Sequence, residues 1–322
     1  MKDPFSEIVK VLDECESIAC FVHKSPDGDA LGSALAIYNF YGDKKRISIY
    51  SPTLYPEVYS FLPGIGSVIV YNDFSSDVKG ADVALFLDCG DIGRVPGFDF
   101  NLFREVVNID HHESNGNFGS YNLVDPDAPA TSTLVYELLK RSRAGVIDTN
   151  VAICLYTGLY TDTGGFRYSN TSEYAFKVAG ELVSYGIDPS RIAFEVYENY
   201  PFRRMKLLAL ALETLELFVD GKVAVMTVYK DFFDKVGATP EDTEDFVNYA
   251  RAIKGVEVGI FIRERLTGGV KVSLRSKSYF NVSEVARIFG GGGHNHAAGC
   301  ELDLPPEEAK LKLLAVIKER LG

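Results

Sequence analysis

The stretch Val106-Val107-Asn108-Ile109-Asp110-His111-His112 indicates most about how this chain folds. A short, mainly apolar run is typical of a buried strand, and this one passes directly into three adjacent ionisable side chains. Three such groups would be costly to bury in a core, so we expect them at the carboxyl end of a strand. A polar turn is an equally good interpretation of this segment taken alone.

Two more segments repeat the pattern of an apolar run followed by ionisable side chains. His23 follows the run 17–22 and opens His23-Lys24-Ser25-Pro26-Asp27-Gly28-Asp29, and Asp88 follows the run 82–87. Open parallel sheets bind ligands at the carboxyl ends of their strands, where these residues would meet. Asp162, in an otherwise apolar stretch, is a fourth candidate. Pro-Asp-Gly-Asp is also common turn chemistry, but four such segments together favour a shared site.

These side chains suit divalent metals. Carboxylates and imidazoles are the ligands that hard to borderline ions such as Mn²⁺ prefer. Two such ions side by side are a common device for in-line attack on phosphorus. The sequence therefore predicts an enzyme with a metal centre. Its candidate metal ligands are His23, Asp27, Asp29, Asp88, His111 and Asp162.

The alternation of apolar runs with helical patterns predicts an α/β fold. The first domain, residues 1–190, is expected to hold the metals on a parallel sheet with flanking helices. Its predicted strands are 17–22, 46–50, 67–71, 82–87 and 105–109, and its predicted helices are 29–41, 130–141, 151–160 and 171–185.

A composition change near residue 190 predicts a second, smaller α/β domain. Residues 191–215 are expected to form linker helices, and the helical pattern is strong over 205–218. Residues 216–322 are expected to form the second domain. Its predicted strands are 222–229, 256–263 and 269–274, and its predicted helices are 282–289 and 305–321. Candidate residues in both domains predict an active site in the cleft between them.

The second domain carries candidate substrate-binding residues. Consecutive amides in a glycine run cradle phosphate oxygens, although a flexible linker is the alternative for such a run. Strand alternation places Lys271, Ser273 and Arg275 on one face, and Arg275 suits a phosphate, whereas Lys271 also fits a solvated face. The candidates are Arg275, Ser276, Gly291, Gly292, Gly293 and His294.

Composition narrows the class of partner. The net charge of −12 argues against a long basic groove for duplex nucleic acid. The N-terminus has no apolar signal region, and no apolar stretch approaches the roughly 18 residues of a membrane span, so no membrane partner is expected. Five cysteines without CxxC spacing are typical of free thiols in a reducing compartment. We therefore expect a cytoplasmic protein.

The order of these motifs resembles the DHH phosphoesterase family in its DHH/DHHA1 form. The likeness covers nearly the whole chain, with Asp110-His111-His112 in the first domain and residues 290–299 in the second. That family contains short-oligoribonucleotide exonucleases, pAp phosphatases and stand-alone cyclic-di-AMP phosphodiesterases. The resemblance implies two divalent ions per subunit, Mn²⁺ as the favoured ion, and a homodimer.

The resemblance also implies roles for individual residues. One ion would be held by His23, Asp27 and Asp88, and the other by Asp29, Asp88, His111 and Asp162, so that Asp88 bridges them. His112 and Asp88 would be catalytic, with His112 at the scissile phosphate, while His294 and Arg275 would bind phosphate or nucleotide. Phe166 and Tyr168 are the first aromatic residues to consider for base stacking. Arg94 and Asn170 could bind phosphate or ribose, but a structural role fits both residues better.

The leading functional hypothesis is a phosphodiesterase that cleaves cyclic di-AMP, pApA or other very short oligoribonucleotides to mononucleotides. A pAp 3′-phosphatase is the enzymatic alternative, because the same site would need only a different substrate register. Pyrophosphatase action fits less well, since relatives with that activity lack a segment like Gly290–His294. A nucleotide sensor that uses metals only to hold phosphate is the alternative of another class.

Overall fold

The structure is a computed structural model that describes residues 3–321, so the predicted domain limits at residues 1 and 322 lie outside it. The chain divides into two compact units, with the boundary between Asn199 and Tyr200. Each unit combines helices with a six-stranded sheet, which confirms the α/β fold class. None of the helices described over residues 3–321 is both long and apolar enough to cross a membrane.

The first unit is built on a sheet in which every pairing is parallel. Its elements are α1 (Pro4–Glu14), β1 (Ser17–Phe21), α2 (Gly28–Tyr41), β2 (Arg46–Ser51), β3 (Val68–Val70), α3 (Phe74–Asp77), β4 (Ala81–Leu87), β5 (Phe103–Asp110), β6 (Tyr121–Val124), α4 (Thr131–Arg141), α5 (Thr149–Asp162), α6 (Glu173–Val183) and α7 (Pro189–Tyr197). The strand order β3-β2-β1-β4-β5-β6 places β1 beside β4 at the centre. The predicted strands and helices of this half are confirmed within a few residues, whereas α1, α3 and β6 were not predicted and α7 overlaps the predicted linker helices.

The central strands are covered on both faces. All five residues of β1 are buried, as expected for a parallel strand between two layers. One face packs against α2, α4 and α5, and α2 and α5 approach so closely that a Cβ on Gly32 would lie 2.4 Å from the carbonyl oxygen of Cys154. The other face carries an aromatic cluster around Phe21, whose ring stacks 5.2 Å from that of Phe86. This packing fixes the ends of β1 and β4, where the site begins.

The second unit has a mixed sheet of order β11-β12-β10-β9-β8-β7. Its elements are α8 (Phe202–Glu213), β7 (Glu216–Phe218), β8 (Val223–Val228), α9 (Lys230–Val236), α10 (Val247–Arg251), β9 (Val258–Glu264), β10 (Val270–Ser276), α11 (Val282–Ile288), β11 (Gly292–His294), β12 (Ala297–Leu302) and α12 (Pro306–Leu321). Only β8 and β9 pair in parallel within this sheet. Alternate burial along β10 confirms the predicted faces, with Val272 and Leu274 inside and Arg275 half-buried on the other side.

The helix predicted over residues 205–218 is wrong at its C-terminal end. Helix α8 ends at Glu213, and Glu216–Phe218 is strand β7. The Thr214 hydroxyl donates to the carbonyl of Thr227 at 2.9 Å and accepts from its amide at 2.8 Å. Because this pair of bonds ties the chain to β8, it ends the helix and starts the antiparallel pairing of β7. The helical period alone did not reveal this long-range bond.

The glycine run is ordered as sheet and turn rather than as a linker. Gly292–His294 forms β11, which pairs antiparallel with β12. A Cβ on Gly291 would lie 2.1 Å from the carbonyl oxygen of Gly299, so this position requires glycine for close backbone packing. The Gly291 amide donates to the carbonyl of Ala286 at 2.8 Å, which engages one of the amides predicted to bind phosphate.

Candidate metal centre

The centre lies at the carboxyl ends of β1 and β4, where the strand order reverses direction. Chain connections leave to opposite sides at such a point, which opens a crevice for ligands. His23 lies two residues beyond β1, and Asp88 directly follows β4. Asp88 has a φ of 57°, a conformation that few non-glycine residues other than Asn and Asp tolerate. The turn after β4 is therefore shaped around this carboxylate.

The first group of candidate ligands consists of His23, Asp27 and Asp88. The Nε2 atom of His23 lies 3.5 Å from Oδ2 of Asp88 and 3.9 Å from Oδ2 of Asp27. Asp27 is also the N-cap of α2, because its Oδ1 accepts from the amides of Asp29 and Ala30 at 3.1 Å. The start of α2 thereby fixes one carboxylate oxygen and directs the other towards His23.

A second group contains Asp29, Asp88 and His111. Asp29 is buried and accepts from the amides of Thr131 and Ser132, at 2.6 and 2.9 Å, at the start of α4. The Thr131 hydroxyl donates to Oδ1 of Asp88 at 3.0 Å. The first turn of α4 therefore orients both carboxylates of this group. It holds Asp29 through backbone amides that a helix N-terminus leaves unpaired, and Asp88 through the Thr131 hydroxyl.

His111 and Asp162 complete this side of the centre. Nε2 of His111 lies 3.6 Å from Oδ1 of Asp88 and 3.7 Å from Oδ2 of Asp162. Nδ1 of His111 lies 3.2 Å from the carbonyl oxygen of Ala128, which sets the ring with Nε2 towards the acids. Asn170 donates to Oδ2 of Asp162 at 3.0 Å. Asn170 thus supports a candidate ligand, in agreement with the structural role that the sequence favoured for it.

His112 forms a separate pair with the buried Asp110. Its Nδ1 lies 2.7 Å from Oδ1 of Asp110, whose Oδ2 accepts from Nδ2 of Asn115 at 2.5 Å. Asn115 also donates to Oδ1 of Asn108, and Asn108 to the carbonyl oxygen of Cys89. This chain of hydrogen bonds locks the imidazole of His112 beside Asp88, whose Oδ1 is 3.7 Å from Nδ1.

Repulsion among buried carboxylates governs the electrostatics of the centre. Burial, together with the nearby charges of Asp88 and Asp162, raises the pKa of Asp29 well above its usual value. Burial also raises the pKa of Asp162 to about 6, although His111 opposes the change. Burial alone would lower the pKa of His111, but Asp162, Asp88 and Asp29 raise it to about 10. Repulsion among these buried carboxylates is the common cause of the shifts, and a bound cation would relieve it.

The donor set fits divalent ions. Two groups, His23 with Asp27 and Asp88, and Asp29 with Asp88 and His111, each offer ligand atoms that lie within 4.8 Å of one another. Their imidazole-to-carboxylate distances of 3.5 to 3.9 Å are too long for hydrogen bonds. Ligand atoms about 2.1 Å from one ion are separated by roughly 3 to 4 Å, so these distances suit a shared cation.

The predicted substrate-binding residues of the second unit occupy different environments. Arg275 lines an open depression together with Ser273, Lys271 and Arg263, and residues 243–247 also contribute to its lining. Ser276 is buried, and its hydroxyl lies 2.8 Å from Nδ1 of His296. Binding of substrate by Arg275, Ser276, His294 and by the glycines 291–293 stays a prediction.

Sequence reasoning missed the groups that support the ligands. Thr131 and Asn115 gave no signal, because a threonine or asparagine outside a motif looks like any other polar residue. For Arg94 the sequence favours a structural role over phosphate binding, and its Nη2 lies 2.7 Å from Nδ1 of His23. The N-cap of α4 is Ala130, which makes no side-chain capping bond, so the start of this helix also lacks the usual polar signal.

The comparisons with known proteins agree with this geometry. Residues 17–159 match the DHH family, N-terminal domain, and residues 220–322 match the DHHA1 domain. A Thermus thermophilus protein named bifunctional oligoribonuclease and PAP phosphatase NrnA is 32% identical over 98% of this chain and 93% of its own length. A Bacillus subtilis protein of the same name is 24% identical, with 92% of this chain and 93% of that protein covered.

A solved structure agrees as well. The crystal structure of an exopolyphosphatase-related protein from Bacteroides fragilis superposes with a TM-score of 0.89 at 30% identity, covering 98% of this chain and 96% of that one. Both matched domains contain the motifs from which the resemblance was inferred, and the buried acids and histidines can bind metal. The chain therefore belongs to the DHH phosphoesterase family of hydrolases, in the form that carries a DHHA1 domain.

Proposed function

We propose that this enzyme hydrolyses very short oligoribonucleotides, with pApA as the model substrate, and releases AMP. The observation that carries the proposal is the position of Asp88, whose two oxygens face both candidate ligand groups. The relatives named oligoribonuclease and PAP phosphatase support this substrate class. A net charge of −12 also favours a small anionic substrate over a long polymer.

The metal assignment follows the two ligand groups. We propose that His23, Asp27 and Asp88 hold one ion, and that Asp29, Asp88, His111 and Asp162 hold the other. Mn²⁺ is the proposed ion, since mixed carboxylate and imidazole ligands suit it. When bound, such a pair of ions activates water for attack on phosphorus and neutralises negative charge on the phosphate.

The chain's own residues position the phosphate and handle a proton. The hydrogen bond with Asp110 occupies Nδ1 of His112, so we assign to Nε2 the contact with the scissile phosphate. Burial alone would lower the pKa of His112, but Asp110 and Asp88 raise it, which favours the protonated imidazolium. A protonated Nε2 binds a phosphate oxygen and supplies a proton to the leaving 3′ oxygen.

The second unit is proposed to bind the part of the substrate that does not react. The depression on the β9–β10 face is lined by three positively charged side chains, Arg263, Lys271 and Arg275. Two negatively charged side chains, Glu244 and Asp245, also line it. Lys271, Ser273 and Arg275 project from alternate positions of β10, so neighbours in this row are about 7 Å apart. A phosphate fits such a row through the fork of Arg275.

A pAp phosphatase is the second candidate function. The names of the relatives combine both activities in one protein. Both reactions break the bond between phosphorus and a 3′ oxygen, and they differ in whether the phosphorus also carries a second nucleoside, so one centre can serve both. Cyclic di-AMP is a third substrate to test, because it contains the same 3′,5′-phosphodiester. We further propose a cytoplasmic homodimer, and size-exclusion chromatography with light scattering tests the dimer.

A chromatographic time course tests the function. Purified protein with Mn²⁺ is incubated separately with pApA, pAp, cyclic di-AMP and pyrophosphate, and the products are quantified. We expect pApA to be converted to AMP and pAp to AMP and phosphate. Turnover of pyrophosphate alone would refute the proposal. Binding of pApA without product formation would identify a nucleotide sensor instead. A parallel reaction with excess chelator is the control for metal dependence.

A further inference from the structure

Arg204 is a buried arginine whose side chain binds the backbone of a distant segment. The residue lies in the first turn of α8 and is 6% exposed. Its Nη1 donates to the carbonyl oxygen of Asp242 at 2.7 Å, and its Nη2 donates to that of Glu244 at 2.7 Å. Arginine is almost never buried unless its donors are satisfied, and here two backbone carbonyls satisfy both terminal nitrogens. The guanidinium therefore bridges residues 242 and 244.

Two aromatic rings enclose the same guanidinium. Its central carbon lies 4.2 Å from the centroid of the Tyr200 ring and 5.0 Å from that of Phe246, which is fully buried. A planar cation that packs on rings while it donates in two directions is a geometry that arginine provides and lysine does not. Arg204 thus holds residues 242–246, which we call the rim segment, both by backbone carbonyls and by an aromatic ring.

The rim segment depends on such contacts for its conformation. It connects a short 3₁₀ turn, Pro240–Thr243, to α10, and Asp245 within it has a φ of 62°. A positive φ is uncommon for a residue other than glycine and persists where the surrounding structure enforces it. Arg203, also in α8, donates through Nε to Oδ2 of Asp242 at 2.8 Å. Side chains of α8 therefore set the path of the rim segment.

The rim segment contributes to the depression that we propose binds the substrate. Residues 243–246 line it, together with three cationic side chains of β9 and β10. The segment brings two carboxylates to this lining, those of Glu244 and Asp245. A carboxylate that shifts towards the cations competes with phosphate for the same donors. Substrate affinity therefore depends on how firmly the rim segment is held.

We infer that Arg204 is a positioning residue for substrate binding by the second unit. It acts through the rim segment, by keeping the carboxylates of that segment from occupying the cations that bind phosphate. The ligand concerned is a phosphate of the nucleotide that does not react, so the chemistry at the metal centre is independent of Arg204. The inference deepens the proposed function and rests on it.

Steady-state kinetics of Arg204→Lys with two substrates test the inference. Lysine keeps the positive charge but loses the fork that reaches both carbonyls. We expect KM for pApA to rise by about five-fold or more, since a buried hydrogen bond is lost, while kcat stays within about two-fold. Bis(p-nitrophenyl) phosphate, a small diester without a nucleotide to place in the depression, should keep the wild-type kcat/KM. A purely structural role would lower the rates on both substrates alike.

Two further variants complete the test. Arg203→Ala removes the bond to Asp242 from a side chain that is 36% exposed, so it loosens the same segment with less disturbance of the core. Its KM for pApA should rise by about two- to five-fold. Arg287→Lys makes the matched change at an exposed arginine of α11 and should leave both substrates at wild-type values.

Circular dichroism first establishes that each variant is folded. An unchanged KM for pApA in folded Arg204→Lys overturns the inference, and so do equal losses on both substrates. If Arg204→Lys does not fold, the KM of Arg203→Ala decides in the same way. Failure of the wild type to cleave pApA overturns the proposed function instead.

Discussion

His112 and Asp110 form a hydrogen bond of 2.7 Å between Nδ1 and Oδ1, and the side chain of Asp110 is fully buried. Within Asp110-His111-His112, His111 directs its Nε2 towards both Asp88 and Asp162. Asp110 is directed to His112 and is held on its other side by Asn115. The three adjacent residues therefore divide into a candidate metal ligand, an imidazole that we propose binds phosphate, and the acid that positions this imidazole.

Asp110→Asn should separate turnover from binding. The amide keeps the size of the side chain but loses the charge that orients and protonates His112, so kcat for pApA should fall by about 10²- to 10³-fold. KM and the Mn²⁺ affinity should change by less than about five-fold, because Asp110 contacts neither substrate nor ion in the proposed site. Steady-state kinetics with a Mn²⁺ titration measure both. A loss of metal binding as large as the loss of kcat would place Asp110 among the ligands.

Asp88→Asn should abolish metal-dependent hydrolysis. The backbone of residue 88 has a positive φ that Asn tolerates, so the fold should persist. Loss of the charge facing both ligand groups should reduce kcat by about a thousand-fold or more and weaken Mn²⁺ binding. Asp99→Asn, which changes an exposed turn-capping acid, is the matched control and should retain wild-type rates. Full activity of Asp88→Asn would refute the proposed centre.

Two helical glycines should respond to alanine in opposite ways. A Cβ on Gly158 would lie 2.7 Å from the Ser132 side chain and 2.8 Å from Oδ1 of Asp29. Gly158→Ala should therefore lower the free energy of unfolding by about 1–3 kcal/mol and weaken Mn²⁺ binding. A Cβ on Gly180, in α6, would meet nothing within 4 Å. Gly180→Ala should raise the stability by up to about 1 kcal/mol. Urea denaturation compares the two, and equal effects would contradict the close packing at Asp29.

Glu257 should give the second unit a pH-dependent stability. Burial alone would raise the pKa of its carboxyl group, but bonds from the amides of Ser278, Tyr279 and Phe280 lower it. The stabilisation is present above the usual glutamate pKa of about 4.3 and is lost as the pH falls through the lower, folded-state pKa. Glu257→Gln should cost about 1–3 kcal/mol at neutral pH and less near pH 4.

Urea denaturation of the full chain at several pH values measures the effect of Glu257→Gln. Glu319→Gln, which changes an exposed residue of α12, is the control and should shift the free energy of unfolding by less than about 0.5 kcal/mol. A penalty for Glu257→Gln that stays constant from pH 7 to pH 4 would show that the carboxylate charge contributes nothing.

The fold and the candidate ligands could be predicted because local patterns encode them. The buried run before His23 and the run before Asp88 are strands of ordinary composition, and parallel sheets place their carboxyl ends together. The spacing of His23, Asp27 and Asp29 then follows from one loop and the first turn of α2, so no long-range information was needed.

Contacts between distant segments could not be predicted. Thr131 reaches Asp88 and Asp29 across more than forty residues of chain, and Thr214 ends α8 by bonding to Thr227. A hydroxyl at such a position has the same local context as any solvated one. The pairing of Gly292–His294 with β12 was missed for the same reason, since glycine has a low strand propensity.

Two divalent ions on either side of Asp88 are the central requirement of the proposed chemistry. Anomalous diffraction from crystals grown with Mn²⁺ tests it most directly. We expect two manganese peaks in the first unit, one between His23, Asp27 and Asp88 and the other between Asp29, Asp88 and His111. A single peak, or peaks remote from Asp88, would contradict the two-ion centre.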